Sequence, residues 1–338
     1  MSQKKILIVG AGGFIGGFIA KTSLSRGYKT WVAVRESTSR RYLDDPSLNF
    51  VVIDYDDPEA VKKSLNEALP EGQKWDYIIY NLGATKCINF LDFKRINFTY
   101  LRTFVETLKT IDKVPEKFLY MSSLSALGPW DEKNYTQADN SITPNPNTAY
   151  GLSKILSENY LELMAGIPYV IFRPTGVYGP HEKDYLMMIK SIDSHFDFGV
   201  GYKRQMLTFI YVDDLVNAMF DALESPKAIN KKYNIAEGRS YTQEEFRKIV
   251  ADQLGHKIVV PVKMPLWALY GVSYIAEKWG KLRLKPSTLN RDKYKIMKQR
   301  NWNCDIEDAR RDFGFNPKFS LTDGIKETVA AYIKSKKK

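Results

Sequence analysis

The sequence has little of the chemistry that metal centres and disulfide-linked proteins need. Among 338 residues there are two cysteines, Cys87 and Cys304, and three histidines, His181, His195 and His256. Two isolated thiols do not form a disulfide framework, and none of these side chains has the spacing of metal ligands. The composition therefore predicts a cytoplasmic protein with no bound metal.

Long apolar runs are also missing. No stretch of about 18 or more uncharged apolar residues occurs, so we expect no membrane-spanning helix. Glycines interrupt the apolar start of the chain, which indicates a first buried strand rather than a signal peptide. The formal net charge is +11, but no base-stacking or groove-reading motif accompanies it, so we expect no nucleic acid partner. The basic residues indicate a solvated surface, or attraction to an anionic substrate, cofactor or membrane surface.

Short apolar segments alternate with helical patterns through the first half of the chain. The predicted strands are Ile6–Val9, Thr30–Val34, Phe50–Ile53, Tyr77–Tyr80, Lys117–Met121 and Tyr169–Phe172. The predicted helices are Phe14–Arg26, Pro58–Ala68, Asp92–Ile111 and Tyr150–Ala165. This alternation predicts an α/β fold, a Rossmann-type doubly wound parallel sheet with helices on both faces.

Three glycines, Gly10, Gly13 and Gly16, separate the first predicted strand from the first helix. Glycines in this order suit a tight turn, close approach of the backbone to a pyrophosphate, and close packing of helix on strand. The helix N-terminus then presents free N–H groups to the phosphates. We therefore expect a dinucleotide here, with Phe14 and Ile15 also in contact with it.

The residue after the second strand distinguishes the two nicotinamide dinucleotides. An acidic residue there would bind the adenosine ribose of NAD. This chain has Arg35 instead, and an arginine can pair with a 2′-phosphate, with help from Arg40 or Arg41. The sequence therefore favours NADP(H), and NAD(H) is the alternative if Glu36 reaches the ribose.

Further cofactor contacts are expected after the third and fourth strands. The Asp54 carboxylate would hold the adenine amino edge, with Tyr55 beside it, and Leu82 and Ala84 would lie towards the nicotinamide. After Arg173 the pattern loosens, and from residue 237 helices dominate. We predict a dinucleotide-binding domain of residues 1–173 and 209–236. A smaller, mostly helical substrate-binding domain would take residues 174–208 and 237–332, before a basic tail at 333–338.

A phenol and an ammonium, those of Tyr150 and Lys154, stand four residues apart at a helix start and hence on one face. Such a pair usually lies on the protein surface without a function, but here two serines, Ser122 and Ser123, end the fifth strand at the sheet edge where ligands bind. A fixed ammonium and an oxidised nicotinamide would both lower the pKa of the phenol from about 10. A serine hydroxyl at this edge, Tyr150 and Lys154 therefore predict an acid–base centre.

The motifs together resemble the extended short-chain dehydrogenase/reductase family. They are GAGGFIG, MSSLSALG, YGLSK, RPTGVYGP and FIYVDDL, in the family's order and spacing over nearly the whole chain. The resemblance implies a Ser–Tyr–Lys mechanism on Ser123, Tyr150 and Lys154, in which Lys154 also binds the nicotinamide ribose. It implies a structural role for Asn97, and a homodimer paired through the two helices that contain Asn97 and Tyr150.

Two branches of the family fit the motifs differently. The nucleotide-sugar epimerases and dehydratases usually carry an Asn in the RPxNVYGP turn and an Arg just before FIYVDD; this chain has Gly176 and Leu207 there. Lys203 and Arg204 could substitute by a loop shift. The motifs are closer to 3β-hydroxysteroid dehydrogenase and dihydroflavonol 4-reductase-like members, which implies an oxidoreductase of a secondary alcohol or ketone. The alternatives are an NAD-dependent sugar-nucleotide epimerase or dehydratase, and a non-catalytic nicotinamide-binding regulator.

An aromatic segment, residues 264–279, carries Trp267, Tyr270, Tyr274 and Trp279 on helical spacings, and basic residues follow it. It indicates either the core of a small lid or an amphipathic element that lines a substrate pocket or rests on a membrane surface. The residues expected to meet a small-molecule substrate are Thr85, Lys86, Ser125, Thr175, Tyr178 and His181.

Overall fold

The structure, a computed structural model, describes residues 3–336. The strands are β1 Lys5–Val9, β2 Lys29–Val34, β3 Asn49–Val52, β4 Tyr77–Tyr80, β5 Lys117–Met121, β6 Tyr169–Pro174, β7 Gly176–Tyr178, β8 Phe196–Val200, β9 Leu207–Tyr211, β10 Lys231–Ile235, β11 Ser240–Tyr241 and β12 Val260–Met264. The helices are α1 Phe14–Ser25, α2 Pro58–Ala68, α3 Phe90–Phe93, α4 Tyr100–Thr110, α5 Ala149–Leu163, α6 Lys183–Asp193, α7 Val212–Glu224, α8 Gln243–Leu254, α9 Leu266–Leu282, α10 Arg291–Lys298, α11 Glu307–Phe313 and α12 Leu321–Lys336.

The central sheet is parallel throughout and has the strand order β10-β6-β5-β4-β1-β2-β3. Strands β1, β4 and β5 are almost fully buried, because helices cover both faces of the sheet and leave no side of these strands to water. One apolar cluster packs under α1 and α7 and another under α2, α4 and α5. The predicted Rossmann-type α/β fold is confirmed.

Beyond the central sheet the chain builds a second region from two excursions. Strands β7, β9 and β11 form one small sheet, and β8 pairs with β12 in another. The small sheets were not predicted, since strands of two to five residues give too short a pattern to recognise. The division into two domains remains a prediction. Residues 333–336, expected in a basic tail, continue helix α12, and residues 337 and 338 lie outside the described part.

Helix α5 is fastened to the sheet by a buried ion pair. The Glu158 carboxylate on α5 accepts from the Arg173 guanidinium on β6 at 2.5–3.1 Å, and neither side chain has any exposure to water. The hydroxyl of Ser122, just after β5, donates to the same carboxylate. Because a charge so deeply buried is stable only with a partner, these contacts fix how α5 lies on the sheet.

A π-helical stretch, Lys94–Thr99, leads into α4 and directs Asn97 into the protein. The Asn97 amide donates to Ala84 O at 3.1 Å and to Ser153 Oγ at 2.8 Å, and its Oδ1 accepts from Ala84 N at 2.7 Å. One side chain thus joins the loop after β4 to α5. This is the structural role that the family resemblance implied, and π-bulges commonly occur at functional sites.

We predict that Glu158→Ala lowers the free energy of unfolding by about 3–5 kcal/mol, because Arg173 is left as an uncompensated buried charge. The double variant Glu158→Met/Arg173→Met should recover most of that loss, because apolar side chains of similar size replace the pair. Urea denaturation followed by circular dichroism measures both. A single variant within 0.5 kcal/mol of the wild type, about the range of a neutral surface substitution, would show that the pair does not anchor α5.

Candidate active site

A cleft of about 710 Å³ opens at the carboxyl edge of the central sheet. It is bordered by the loops after β1, β2, β4, β5 and β6, and by the start of α5. Most of the residues predicted from the sequence meet there. Those that line the cleft are Gly10, Gly13, Phe14, Ile15, Arg35, Tyr55, Leu82, Thr85, Ser123, Tyr150, Lys154 and Thr175.

The glycine-rich loop has no room for side chains where the chain passes closest to itself. Gly10 has a φ of +83°, and a Cβ on it would lie 2.7 Å from Leu82 N. A Cβ on Gly16 would lie 2.4 Å from Gly10 O, so Gly16 serves the packing of α1 on β1. Gly13 caps α1 without any side chain over the helix N-terminus. The free end of the helix and the bare backbone fit a pyrophosphate.

The loop after β2 forms the far end of the cleft. Arg35 borders the cleft together with Ser37, Thr38 and Ser39, and Thr38 Oγ1 accepts from Arg35 N at 3.1 Å. Glu36 is exposed and is not among the residues that border the cleft. The serine and threonine hydroxyls were not predicted from the sequence, although their position just after Arg35 is a usable signal. One basic side chain and three hydroxyls are suitable donors to a phosphate.

The side chains of Asp54 and Tyr55 point in different directions, although the two residues are neighbours in the sequence. Tyr55 is buried, borders the cleft and stacks on Tyr100, with ring centroids 5.7 Å apart. Asp54 is exposed, lies outside the lining of the cleft, and accepts from Asp56 N at 3.0 Å. Neighbouring residues in an extended chain point in opposite directions. The structure therefore does not bring the Asp54 carboxylate to the position expected for it.

Tyr150, Lys154 and Ser123 meet at the other end of the cleft. Thr148 caps α5 by accepting from Gly151 N at 3.0 Å, which places Tyr150 in the first turn. Lys154 donates to Met121 O at 2.7 Å, and its Nζ lies 5.9 Å from the centre of the Tyr150 ring. Ser123 follows β5, borders the same cleft and lies near enough to the phenol to affect its pKa. The three predicted residues are therefore together.

Burial controls the protonation of this centre. It raises the pKa of Tyr150 to about 12, and the Ser123 hydrogen bond only partly opposes that rise. It also lowers the pKa of Lys154 to about 7, against the attraction of the Glu158 carboxylate. The expected lowering of the phenol pKa depends on an oxidised nicotinamide as well as on Lys154, and it stays a prediction. Tyr150 keeps its proton at neutral pH.

Several expected substrate residues lie elsewhere. Tyr178 is fully buried in an aromatic cluster, and its hydroxyl donates to Ser320 O at 3.3 Å. The ring of His181 is exposed and packs on Tyr42, with centroids 5.1 Å apart. Lys86 forms an ion pair with Asp184 at 2.9 Å, and that carboxylate also holds Lys293 at 3.0 Å.

Ser125 is not among the residues that line the cleft, and its carbonyl oxygen lies against Gly151, 2.4 Å from where a Cβ on that residue would be. Other residues that line the cleft and were not predicted include Asn81, Gly83, Ser122 and Glu182. Asn81 and Gly83 follow β4 and Ser122 follows β5, so the rule that ligands bind at the carboxyl ends of strands could have found them. Glu182 caps α6, and no sequence motif marks it.

The structure explains why positions 176 and 207, which distinguish the two branches of the family, carry a glycine and a leucine here. A Cβ on Gly176 would lie 1.9 Å from the Tyr185 hydroxyl oxygen, so the Tyr185 phenol occupies the space a side chain at 176 needs. Burial raises the pKa of Tyr185, which therefore remains a neutral phenol. Leu207 is partly buried against the aromatic cluster of the second region. Neither position presents a polar side chain.

No group of three or more potential metal ligands occurs within residues 3–336. No helix in that part of the chain is long and apolar enough to cross a membrane.

Comparison with known proteins finds relatives whose alignments cover nearly the full length of this chain. The chain is 25% identical to UDP-glucose 4-epimerase of Vibrio cholerae, covering 98% of this chain and 96% of that protein. It is 21% identical to ceramide reductase of Caulobacter vibrioides, covering 97% and 94%. Among solved structures, that of Thermus thermophilus UDP-glucose 4-epimerase in complex with NAD has a TM-score of 0.76 at 19% identity, covering 97% and 99%.

Residues 6–236 match the sequence family described as the NAD dependent epimerase/dehydratase family. The match spans the whole central sheet, from β1 to β10, and includes the glycine-rich loop, Ser123, Tyr150 and Lys154. It agrees with the resemblance to extended short-chain dehydrogenases/reductases carried by the sequence motifs. The chain belongs to the NAD-dependent epimerase/dehydratase family.

Proposed function

We propose that this protein is an NADP(H)-dependent reductase of a ketone that carries long apolar chains, with a ceramide-type ketone as the first candidate. The observation that carries the proposal is the protonated phenol of Tyr150, held beside Ser123 and Lys154 at one end of a dinucleotide-sized cleft. A group that must give a proton to a developing alkoxide has to hold that proton at the working pH. The pKa of about 12 for Tyr150 meets this condition.

The chain's own residues suffice for the proton chemistry. The Ser123 and Tyr150 hydroxyls donate to the ketone oxygen, and Tyr150 passes its proton to that oxygen as the carbonyl carbon is reduced. Lys154 is oriented by Met121 O, and its remaining N–H groups would be available to the ribose of a bound cofactor. A nicotinamide dinucleotide held along Gly10, Gly13 and Leu82 would supply the hydride. The opposite direction would need Tyr150 as the phenolate, to accept the proton of a secondary alcohol.

An apolar substrate is supported because the two polar side chains that serve the nucleotide diphosphate in nucleotide-sugar enzymes are absent at positions 176 and 207. At position 176 the Tyr185 phenol fills the place of the Asn that nucleotide-sugar enzymes use, and position 207 is a leucine. A nucleoside diphosphate would leave unpaired charge against these groups, which is costly in a buried site. The alignment with the ceramide reductase of Caulobacter covers almost the full chain. Ceramide-type ketones are therefore the first class of substrate to test.

The second candidate is a UDP-sugar epimerase. It is favoured by the Vibrio cholerae relative, which has the higher identity over an equally long alignment. The Ser–Tyr–Lys set serves this reaction as well, because an epimerase also oxidises and then reduces a secondary alcohol. The two candidates differ in outcome, since only a reductase consumes NADPH in step with product.

The preference for NADP(H) is supported by the loop after β2. Arg35, with Thr38 and Ser39 beside it, borders the cleft where the adenosine ribose of a dinucleotide bound across the sheet would lie, and Glu36 does not. An arginine offers paired N–H donors to a phosphate, and neighbouring hydroxyls add neutral donors.

We predict that Tyr150→Phe lowers kcat for ketone reduction by about 10²- to 10⁴-fold, because the proton donor is lost while the ring remains. Nicotinamide fluorescence should show unchanged NADPH binding in the variant, and its unfolding transition should be unchanged. Ser123→Ala is the companion variant and should retain part of the activity. Near-normal turnover by Tyr150→Phe would overturn the assigned centre, and no turnover of any ketone or UDP-sugar by the wild type would favour the regulator.

We also predict that Arg35→Ala weakens NADPH binding by about 10- to 100-fold, the worth of a hydrogen-bonded charge pair. NADH binding should change by less than about threefold, because NADH has no 2′-phosphate. Arg239→Ala is the matched control, because the Arg239 guanidinium lies outside the lining of the cleft, 4.7 Å from the centre of the Tyr241 ring. Equal loss for both cofactors, or a wild type that binds NADH more tightly, would contradict the NADP(H) preference.

A further inference from the structure

Helix α9 turns one side towards the protein and leaves an apolar side exposed. Leu269 and Ser273 are buried beneath it. The opposite side, which we call the α9 face, consists of five apolar side chains. They are Trp267, 80% exposed, Val272, 48%, Ile275, 59%, Trp279, 57%, and Leu282, 82%. Single exposed apolar residues are ordinary, but two tryptophans and three aliphatic residues on one helix side mark a surface that is covered in use.

Positive charge surrounds the carboxyl end of this face. Lys278, Lys281, Arg283 and Lys285 lie within its last turn or just beyond it. The Arg283 guanidinium lies 5.0 Å from the centre of the Trp279 ring, and the Lys278 ammonium lies 5.6 Å from that of Tyr274. Basic groups held beside aromatic rings at the edge of an apolar strip are complementary to a surface that is apolar inside and anionic at its rim.

The same helix borders a groove of about 600 Å³ that reaches the candidate active site. Tyr270, Glu277 and Lys281, on the flank of α9, face this groove across from Phe90 and Phe93. The Phe93 ring lies 6.1 Å from that of Tyr150, and the groove also includes Ala149. The groove therefore ends next to Tyr150, and Phe90, Phe93 and Tyr270 are among the aromatic residues of a lining that is otherwise largely polar and charged.

We propose that the α9 face docks on the surface of an anionic lipid bilayer, with α9 lying in the plane of the interface. A helix with an apolar side that includes tryptophans, bordered by lysines and arginines, binds by burying the apolar side at the acyl boundary. Its cations meanwhile meet anionic headgroups. A second copy of this chain is the less suitable occupant, because the α9 face has no anionic side chain to complement the basic residues at its end, whereas an anionic bilayer supplies that charge.

Docking in this orientation places the mouth of the groove at the lipid. A ketone with apolar chains could then pass from the bilayer along Phe90 and Phe93 towards Tyr150. This consequence rests on the proposed function, whereas the docking itself does not. Vesicle binding needs no turnover, so a failure of one proposal is distinguishable from a failure of the other.

The test is binding of the full-length protein to vesicles of phosphatidylcholine, with or without phosphatidylglycerol. Cosedimentation should show binding to the anionic vesicles that salt weakens. Of the six tryptophans, Trp267 and Trp279 are the exposed ones, so their emission should shift to the blue on binding. Trp267→Ser and Trp279→Ser should each weaken binding at least about tenfold. Lys278→Gln and Arg283→Gln should each weaken it about fivefold, on anionic vesicles only.

The matched control is Leu163→Ser, because Leu163 is equally exposed at the end of α5, outside the α9 face. It should bind as the wild type does, and all variants should keep the wild-type unfolding transition. Three results would overturn the proposal. They are a wild type that binds neither vesicle, tryptophan variants that bind as tightly as the wild type, and self-association of the wild type that the tryptophan variants lose.

Discussion

The ion pair between Glu158 and Arg173 is the contact on which the rest of the site depends. It joins α5 to β6, and through Ser122 to the end of β5, and all three side chains are buried. Two charges in such a place are stable only together, so the position of α5 on the sheet is fixed. One turn before Glu158 along the same helix lies Lys154, and one turn before that lies Tyr150.

The same exclusion of water sets the chemistry. It holds the proton on the phenol and destabilises the charge on the neighbouring lysine, with the Glu158 carboxylate as the compensating charge below. A water-poor centre with a neutral phenol suits proton donation to an oxygen that becomes negative. The anchoring contact and the reactive centre are thus parts of one buried arrangement.

Much of this could be predicted from the sequence, because the informative features are local. Gly10 and Gly16 are required by the backbone itself, and the Tyr150 and Lys154 spacing follows from the helix. The contacts that could not be predicted depend on distant parts of the chain meeting. Asp184 neutralises Lys86 across 98 residues, and Tyr178 turns into an aromatic cluster that includes Phe209. The pKa of Tyr150 was also out of reach, since burial cannot be read from neighbouring residues.

The central claim is that Ser123, Tyr150 and Lys154 serve a net reduction at a ketone. The most direct measurement follows deuterium from C4-deuterated NADPH by mass spectrometry, with a ceramide-type ketone and UDP-glucose offered separately. The account predicts one deuterium in the released alcohol for each NADPH consumed, and no conversion of UDP-glucose. Conversion of UDP-glucose to its C4 epimer with no net consumption of NADPH, and no reduction of the ketone, would contradict it.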